Sequence, residues 1–195
     1  MAPADPELRD LVREMNRSKI AAVFKKNGDE ILQAEGEIFP SAVLPVIASN
    51  RNGERRVFPM RWGFTGPKGL LINARAETAA EKETFREAWV KHRCVIPASW
   101  YFEWEHDERG KPGKKYALRP EKAGLIWLAG LYRMENSLPV FVILTRPADK
   151  GILWMHDRMP VMLPENEVNE WIKPSKNPEK IIQTCLSRVQ WEQAI

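Results

Sequence analysis

A carboxamide, a carboxylate, an imidazole and two guanidiniums lie among tryptophans in two stretches of this chain, Leu70 to Trp104 and Met155 to Pro160. That inventory suits proton transfer beside a phosphate-bearing ligand whose bases can stack. Glu103 lies between Phe102 and Trp104. A carboxylate in apolar surroundings has a raised pKa and exchanges protons near neutrality. Plain strand alternation accounts for it as well, with Tyr101, Glu103 and Glu105 on one wet face. His156 precedes Asp157 and Arg158 in a segment bounded by Pro160. Histidine is the usual acid and base near pH 7, and a neighbouring Asp or Arg can set its tautomer. A loop histidine bonded to backbone is the other reading.

Asn73 ends an apolar strand, and its amide can hold a carbonyl oxygen or an amine, or merely cap the strand end. Arg75 follows two residues on, on the same face of a strand. Its guanidinium can grip phosphate in a bidentate fork, or pair with Glu77. Arg61-Trp62-Gly63 combines a cation, a π-face and a residue that permits close backbone approach. Base stacking beside a phosphate would use all three, although a core tryptophan fits the same tripeptide. The two cysteines, Cys94 and Cys185, form no CxxC pair, and with only three histidines no metal site is expected. Cys94 precedes Val95 and Ile96 and reads as a small buried hydrophobe. No Ser-His-Asp ordering, phosphate loop or dinucleotide glycine pattern is present.

These residues need elements to hold them. Asp5 and Pro6 open a helix whose Leu8, Leu11, Val12 and Met15 share a face. A turn is expected at Lys25 to Asp29, a strand over Ala42 to Ala48, a hairpin turn at Arg51 to Glu54 and a strand from Arg55 to Phe64. Leu70 to Arg75 reads as a short buried strand. Thr78 with Glu81 reads as a capping box opening a helix that points Phe85 and Trp89 inward. Arg93 to Glu105 reads as one long strand, and Gly110, Pro112 and Gly113 turn the chain. Strands follow over Lys114 to Arg119, Leu125 to Met134 and Val140 to Thr145. A helical turn precedes His156, and short helices start near Pro164 and, after Asn177, near Pro178. Short turns between successive strands predict a strand-dominated α+β domain over residues 1–195, a curved antiparallel sheet or barrel with peripheral helices.

Composition sets the bounds. The chain has 195 residues, 44% hydrophobic and 29% charged, enough for one packed domain. A net charge of +4 permits an anionic partner without requiring one. Eight tryptophans can fill a core or stack on bases. The two distant cysteines fit a reduced, cytoplasmic setting. No apolar run reaches membrane-spanning length and no signal peptide is read, so no membrane is expected. A monomer is expected.

Taken together, Arg61-Trp62-Gly63-Phe64, Ile72 to Thr78, Arg93 to Trp104, Ile143-Leu144-Thr145 and His156-Asp157-Arg158-Met159-Pro160 resemble the SRAP family (SOS response-associated peptidase), the abasic-site processing proteins. Order and spacing both match, over roughly Phe39 to Trp171. The resemblance implies a sensor of abasic sites in single-stranded DNA, in the nucleoid, needing no cofactor. Family members link to the ring-opened sugar aldehyde through the amine and thiol of a cysteine exposed when the initiator methionine is removed, giving a thiazolidine. It implies that Asn73 positions the N-terminal residue and the sugar. Glu103 would shuttle protons during ring opening and closure, and His156 would serve the Schiff-base steps and reversal. Arg75 and Arg158 would hold phosphates, and Trp62 would stack near the lesion. Family members begin Met-Cys-Gly-Arg, whereas this chain begins Met1-Ala2-Pro3-Ala4 and has its first cysteine at Cys94. A missing N-terminal segment bearing that cysteine is expected. A divergent member is the alternative: its Ala2 amine could form an imine but not the ring, leaving an impaired enzyme or a non-covalent single-stranded DNA binding module. The end at Ile195 likewise reads as short for the family.

Overall fold

Asp5 caps the first helix as its sequence dictates. Its Oδ1 accepts from the Glu7 N–H at 2.9 Å, Pro6 takes the first position, and α1 (Pro6–Asn16) buries Leu8, Val12 and Met15. The computed structural model describes residues 5–29, 31, 36–106, 111–121 and 124–194. Ala2 and Gly110 lie outside the described residues. A second helix, α2 (Lys19–Lys26), is capped by Ser18 and buries Ala21 and Phe24. The turn expected at Lys25 to Asp29 is its C-terminal end.

Strands β1 (Val43–Ser49) and β2 (Arg55–Trp62) form the predicted hairpin, with Gly53 at positive φ in the turn. The chain then departs from expectation. Leu70 to Arg75 is not one buried strand. A two-stranded ribbon pairs β3 (Phe64–Gly66) with β4 (Gly69–Leu71), and β5 (Asn73–Arg75) follows with Asn73 and Arg75 exposed around a buried Ala74. The capping box does not form either. Thr78 lies inside α3 (Ala76–Ala79), which starts directly after β5, and α4 (Glu83–Lys91) begins without a side-chain cap. Phe85 and Trp89 do point inward, beside Ala88. Fully burying such side chains contributes about 1.5–3 kcal/mol each.

Arg93 to Glu105 splits at Ser99-Trp100 into β6 (Arg93–Ala98) and β7 (Tyr101–His106), which belong to different sheets. Then come β8 (Pro112–Pro120), β9 (Ile126–Glu135) and β10 (Leu138–Pro147). A two-residue turn, Asn136-Ser137, joins β9 to β10 with both residues at positive φ. The chain ends with β11 (Arg158–Pro160), β12 (Met162–Leu163), a 3-10 turn, α5 (Val168–Trp171), α6 (Pro178–Ile182) capped by Asn177, and β13 (Val189–Gln193).

Five strands close a barrel in the order β10-β2-β1-β6-β9, and β9 pairs back onto β10. All its pairings are antiparallel except β10 with β2, which is parallel. The result is the strand-dominated α+β domain that the sequence predicted. Alternate residues feed two cores. Leu44, Val46, Cys94, Ile96, Leu128 and Phe141 pack in one, and Ile47, Val95, Ala129 and Val142 pack with α4 and Trp171 in the other. A separate sheet, β13-β8-β7, rests beside the barrel and carries Glu103.

Candidate active site and nucleic-acid interface

The far end of β10 is where the barrel gathers polar residues. β5 lies parallel to it, with Asn73 opposite Ile143 and Arg75 opposite Thr145. β11 pairs antiparallel, with Pro160 opposite Thr145 and Arg158 opposite Pro147. Asn73, Arg75, Thr145 and Arg158 are thus brought to one stretch of backbone. Trp62 fixes the approach of β5. Its Nε1 donates to the Ile72 carbonyl at 3.0 Å, and its ring stacks against Phe141, with centroids 6.4 Å apart and planes 7° apart. Gly63 has φ +119°, and a Cβ there would meet the Leu70 side chain at 2.4 Å. The close approach that glycine permits is therefore by Leu70.

Arg158 is gripped from two sides. Its Nη1 and Nη2 donate to the Glu77 carboxylate at 2.6 and 2.8 Å, and Nη2 also donates to the Thr145 carbonyl at 2.8 Å. This bidentate bond, chiefly, holds the Glu77 carboxyl below its ordinary range. The pairing offered to Arg75 is thus made by Arg158. Arg75 is exposed and adds its charge to the field at Glu77.

His156 stands at the start of this loop. The Arg158 N–H donates to its Nδ1 at 2.9 Å, so the neutral ring carries its proton on Nε2. Nδ1 also lies 3.2 Å from the Arg158 carbonyl and 3.3 Å from the Asp157 carboxylate. A protonated Nδ1 would find acceptors there.

Glu103 comes from the other sheet. It is opposite Tyr116 on β8. Tyr116 meets the Trp154 ring edge to face at 5.2 Å, and Trp154 is two residues ahead of His156. Beside Glu103, the Tyr101 hydroxyl is buried with no hydrogen-bond partner among the described residues. Burial pushes its pKa up; the Glu103 charge adds to that rise and Arg146 of β10 opposes it. Tyr101 thus registers charge from both sheets. The expected wet face is not found: Tyr101 is buried and Glu103 and Glu105 are half-buried, while Trp104 on the other face is exposed.

The sequence profile described as SOS response associated peptidase (SRAP) matches residues 9–194. This chain belongs to the SRAP family. The Abasic site processing protein YoqW of Bacillus subtilis (strain 168) is 33% identical over 180 residues, covering 82% of this chain and 78% of that protein. The Abasic site processing protein YedK of Escherichia coli (strain K12) is 28% identical over 135 residues, covering 66% and 60%. A solved protein structure from Bacteroides thetaiotaomicron superposes with a TM-score of 0.69 at 22% identity, over 99% of this chain and 89% of that one. Another, from Bordetella bronchiseptica, gives 0.67 at 23%, over 91% and 96%. These structures share the fold.

In this SRAP chain some neighbours of the site escaped sequence reasoning. Arg146 and Trp154 gave no local signal, being single residues in otherwise ordinary segments. Thr145 was visible only as the end of the Ile143-Leu144-Thr145 match. Cys94 is fully buried and desolvation raises its thiol well above its ordinary value, as a packing residue should be. Among the described residues no group of three His, Cys, Asp or Glu is placed to hold a metal, and no helix is long and apolar enough to cross a membrane.

Proposed function

We propose that this chain processes abasic sites in single-stranded DNA, as a monomer, through a covalent link between its N-terminal residue and the opened sugar. The observation that carries the reading is that β5, with Asn73 and Arg75, and β11, with Arg158 bonded to His156, both pair with the end of β10, in a chain whose relatives are named abasic site processing proteins. A neutral α-amine attacks the sugar aldehyde carbon, forming a C–N bond while the carbonyl oxygen takes a proton. Loss of water gives the imine. Where a neighbouring thiol is available, sulfur adds to the imine carbon and its proton passes to nitrogen, closing a thiazolidine. Glu103 moves protons as the sugar opens and the ring closes. His156, held through Nδ1 by the Arg158 N–H, serves imine formation and reversal. Asn73 orients amine and sugar, Arg75 and Arg158 hold phosphates, and Trp62 stacks beside the lesion. An α-amine has an ordinary pKa of about 8, so a useful fraction is neutral at pH 7.

Mixing the protein with abasic single-stranded oligonucleotide under cyanoborohydride is the test. A denaturation-resistant adduct should form, and intact DNA should give none. Glu103→Gln should slow its formation about 10²-fold or more, and, for adduct formed without the reductant, His156→Ala should slow reversal comparably. DNA binding with no trapped adduct would overturn the covalent step, and wild-type rates in both variants would remove the assigned roles.

A further inference from the structure

The three rings Tyr116, Trp154 and Trp191 meet pairwise at 5.2, 5.5 and 5.4 Å, with interplanar angles of 87°, 87° and 68°. None lies flat on another. Tyr116 is buried and forms a floor, while Trp154 and Trp191 stand as two walls, 44% and 48% exposed. Such exposure of two adjacent indoles is unusual for a residue that otherwise prefers cover. Trp154 Nε1 donates to the Gly151 carbonyl at 3.1 Å, so that ring's polar atom is satisfied within its own turn. What it offers outward is π-surface. Trp191 is carried by β13, opposite Leu118 of β8, and so belongs to a different element from Trp154.

The corner adjoins both groups to which proton transfer is assigned above. Its floor is opposite Glu103 across β7 and β8, and one wall is two residues from His156. A flat occupant fits two exposed indoles, and it needs no hydrogen bond from Trp154. Lys150 is exposed in the turn that carries Trp154. We infer that the Trp154–Trp191 corner is a stacking site for a nucleobase flanking the abasic position in the same DNA strand. This rests on the proposed function and adds to it. With no base to grasp at the lesion itself, the protein sets the strand's register by holding a neighbouring base.

A cycle that alters protein and DNA together tests this. A labelled single-stranded oligonucleotide carries a central tetrahydrofuran, a stable abasic analogue, and each flanking base is replaced in turn by a second tetrahydrofuran, which keeps the phosphate. Binding is read by anisotropy for the wild type, Trp191→Leu and Trp154→Leu, with circular dichroism to confirm folding. Leucine keeps apolar contact with Tyr116 but has no π-face. At one flanking position, base removal should weaken wild-type binding about tenfold, within the usual range for a base on an aromatic ring. In the variants the same removal should cost less than about twofold. Trp191→Leu alters an exposed ring at the molecule's margin, so a fold defect in Trp154→Leu still leaves the test intact. An equal penalty in wild type and variants overturns the inference. So does a wild type that crosslinks reactive abasic DNA yet is indifferent to every flanking base. Variants that change only the protein's sedimentation would make the corner a contact between copies of this chain, which also overturns it. A wild type that neither binds nor crosslinks abasic DNA defeats the proposed function instead, and this inference with it.

Discussion

Single residues at the site are held by geometry that ordinary substitutions would break. Gly63 adopts φ +119° and its Cα is covered by Leu70. Gly63→Ala should therefore lower stability by about 1–3 kcal/mol, the usual cost of a strained backbone position, measurable as a shift in urea midpoint. Because Gly63 N–H donates to the Phe141 carbonyl, the strain should also disturb the Trp62 stack on Phe141. The Arg158–Glu77 fork has a milder signature. The Glu77 side chain is 42% exposed, which argues for a contribution below about 1 kcal/mol despite the good bidentate geometry. Its pH dependence has a definite sign. The folded carboxyl titrates below its ordinary value, so the stabilisation is complete above the unfolded pKa and is lost as pH falls through the folded one. The stability difference between wild type and Glu77→Gln should be present at about pH 7 and fade below about pH 4.

At the scale of elements, Arg93 joins pieces that side-chain packing alone would leave loose. This buried guanidinium donates to the carbonyls of Trp89 and Val90 at the end of α4, of Trp171 at the end of α5, and of Lys173 and Lys176 beyond it. It also lies over the Trp171 ring at 5.4 Å. Burial pushes its pKa down, but the five carbonyls replace water around the charge. Arg93→Met would leave several of those acceptors unsatisfied and should cost about 3 kcal/mol or more, again read by chemical denaturation. Much of the element map was legible in the sequence. The α1 cap, the β1–β2 hairpin, the inward pair on α4 and the Asn177 cap all rest on local chemistry. What failed was non-local. Nothing near Ser99 announces that β6 stays in the barrel while β7 leaves for another sheet, because both sides have strand-forming residues and the choice of partner strand is non-local. Thr78 and Glu81 have the right spacing for a capping box, yet α3 starts immediately from β5 and takes Thr78 into its interior. The candidate site residues stand out as types, and Asn73 and Arg75 as neighbours on one exposed face of β5. That Arg158 takes Glu77, and that Trp154 meets Tyr116 opposite Glu103, depends on contacts between distant parts of the chain.

For the whole molecule, a net charge of +4 spread over 195 residues is too weak to account for tight DNA binding. Affinity must come from where the cations are placed. Arg75 is exposed at the end of β5 and open to phosphate, whereas Arg158 is already committed to Glu77 and Thr145. The two should behave differently. Arg75→Ala should weaken single-stranded DNA binding at low salt and reduce the slope of log K against log salt by about 0.7, the value for one fewer neutralised phosphate on a single strand. Arg158→Ala should do the same only if the guanidinium reaches phosphate while still holding Glu77. It should also release an unpaired Glu77 carboxylate beside the strand, so its loss of affinity should be the larger and should shrink in the Glu77→Gln background. Anisotropy titrations from 50 to 200 mM salt, roughly the range over which such interactions are felt, measure both slopes. Equal slopes in wild type and Arg75→Ala would mean that the end of β10 does not carry the DNA backbone.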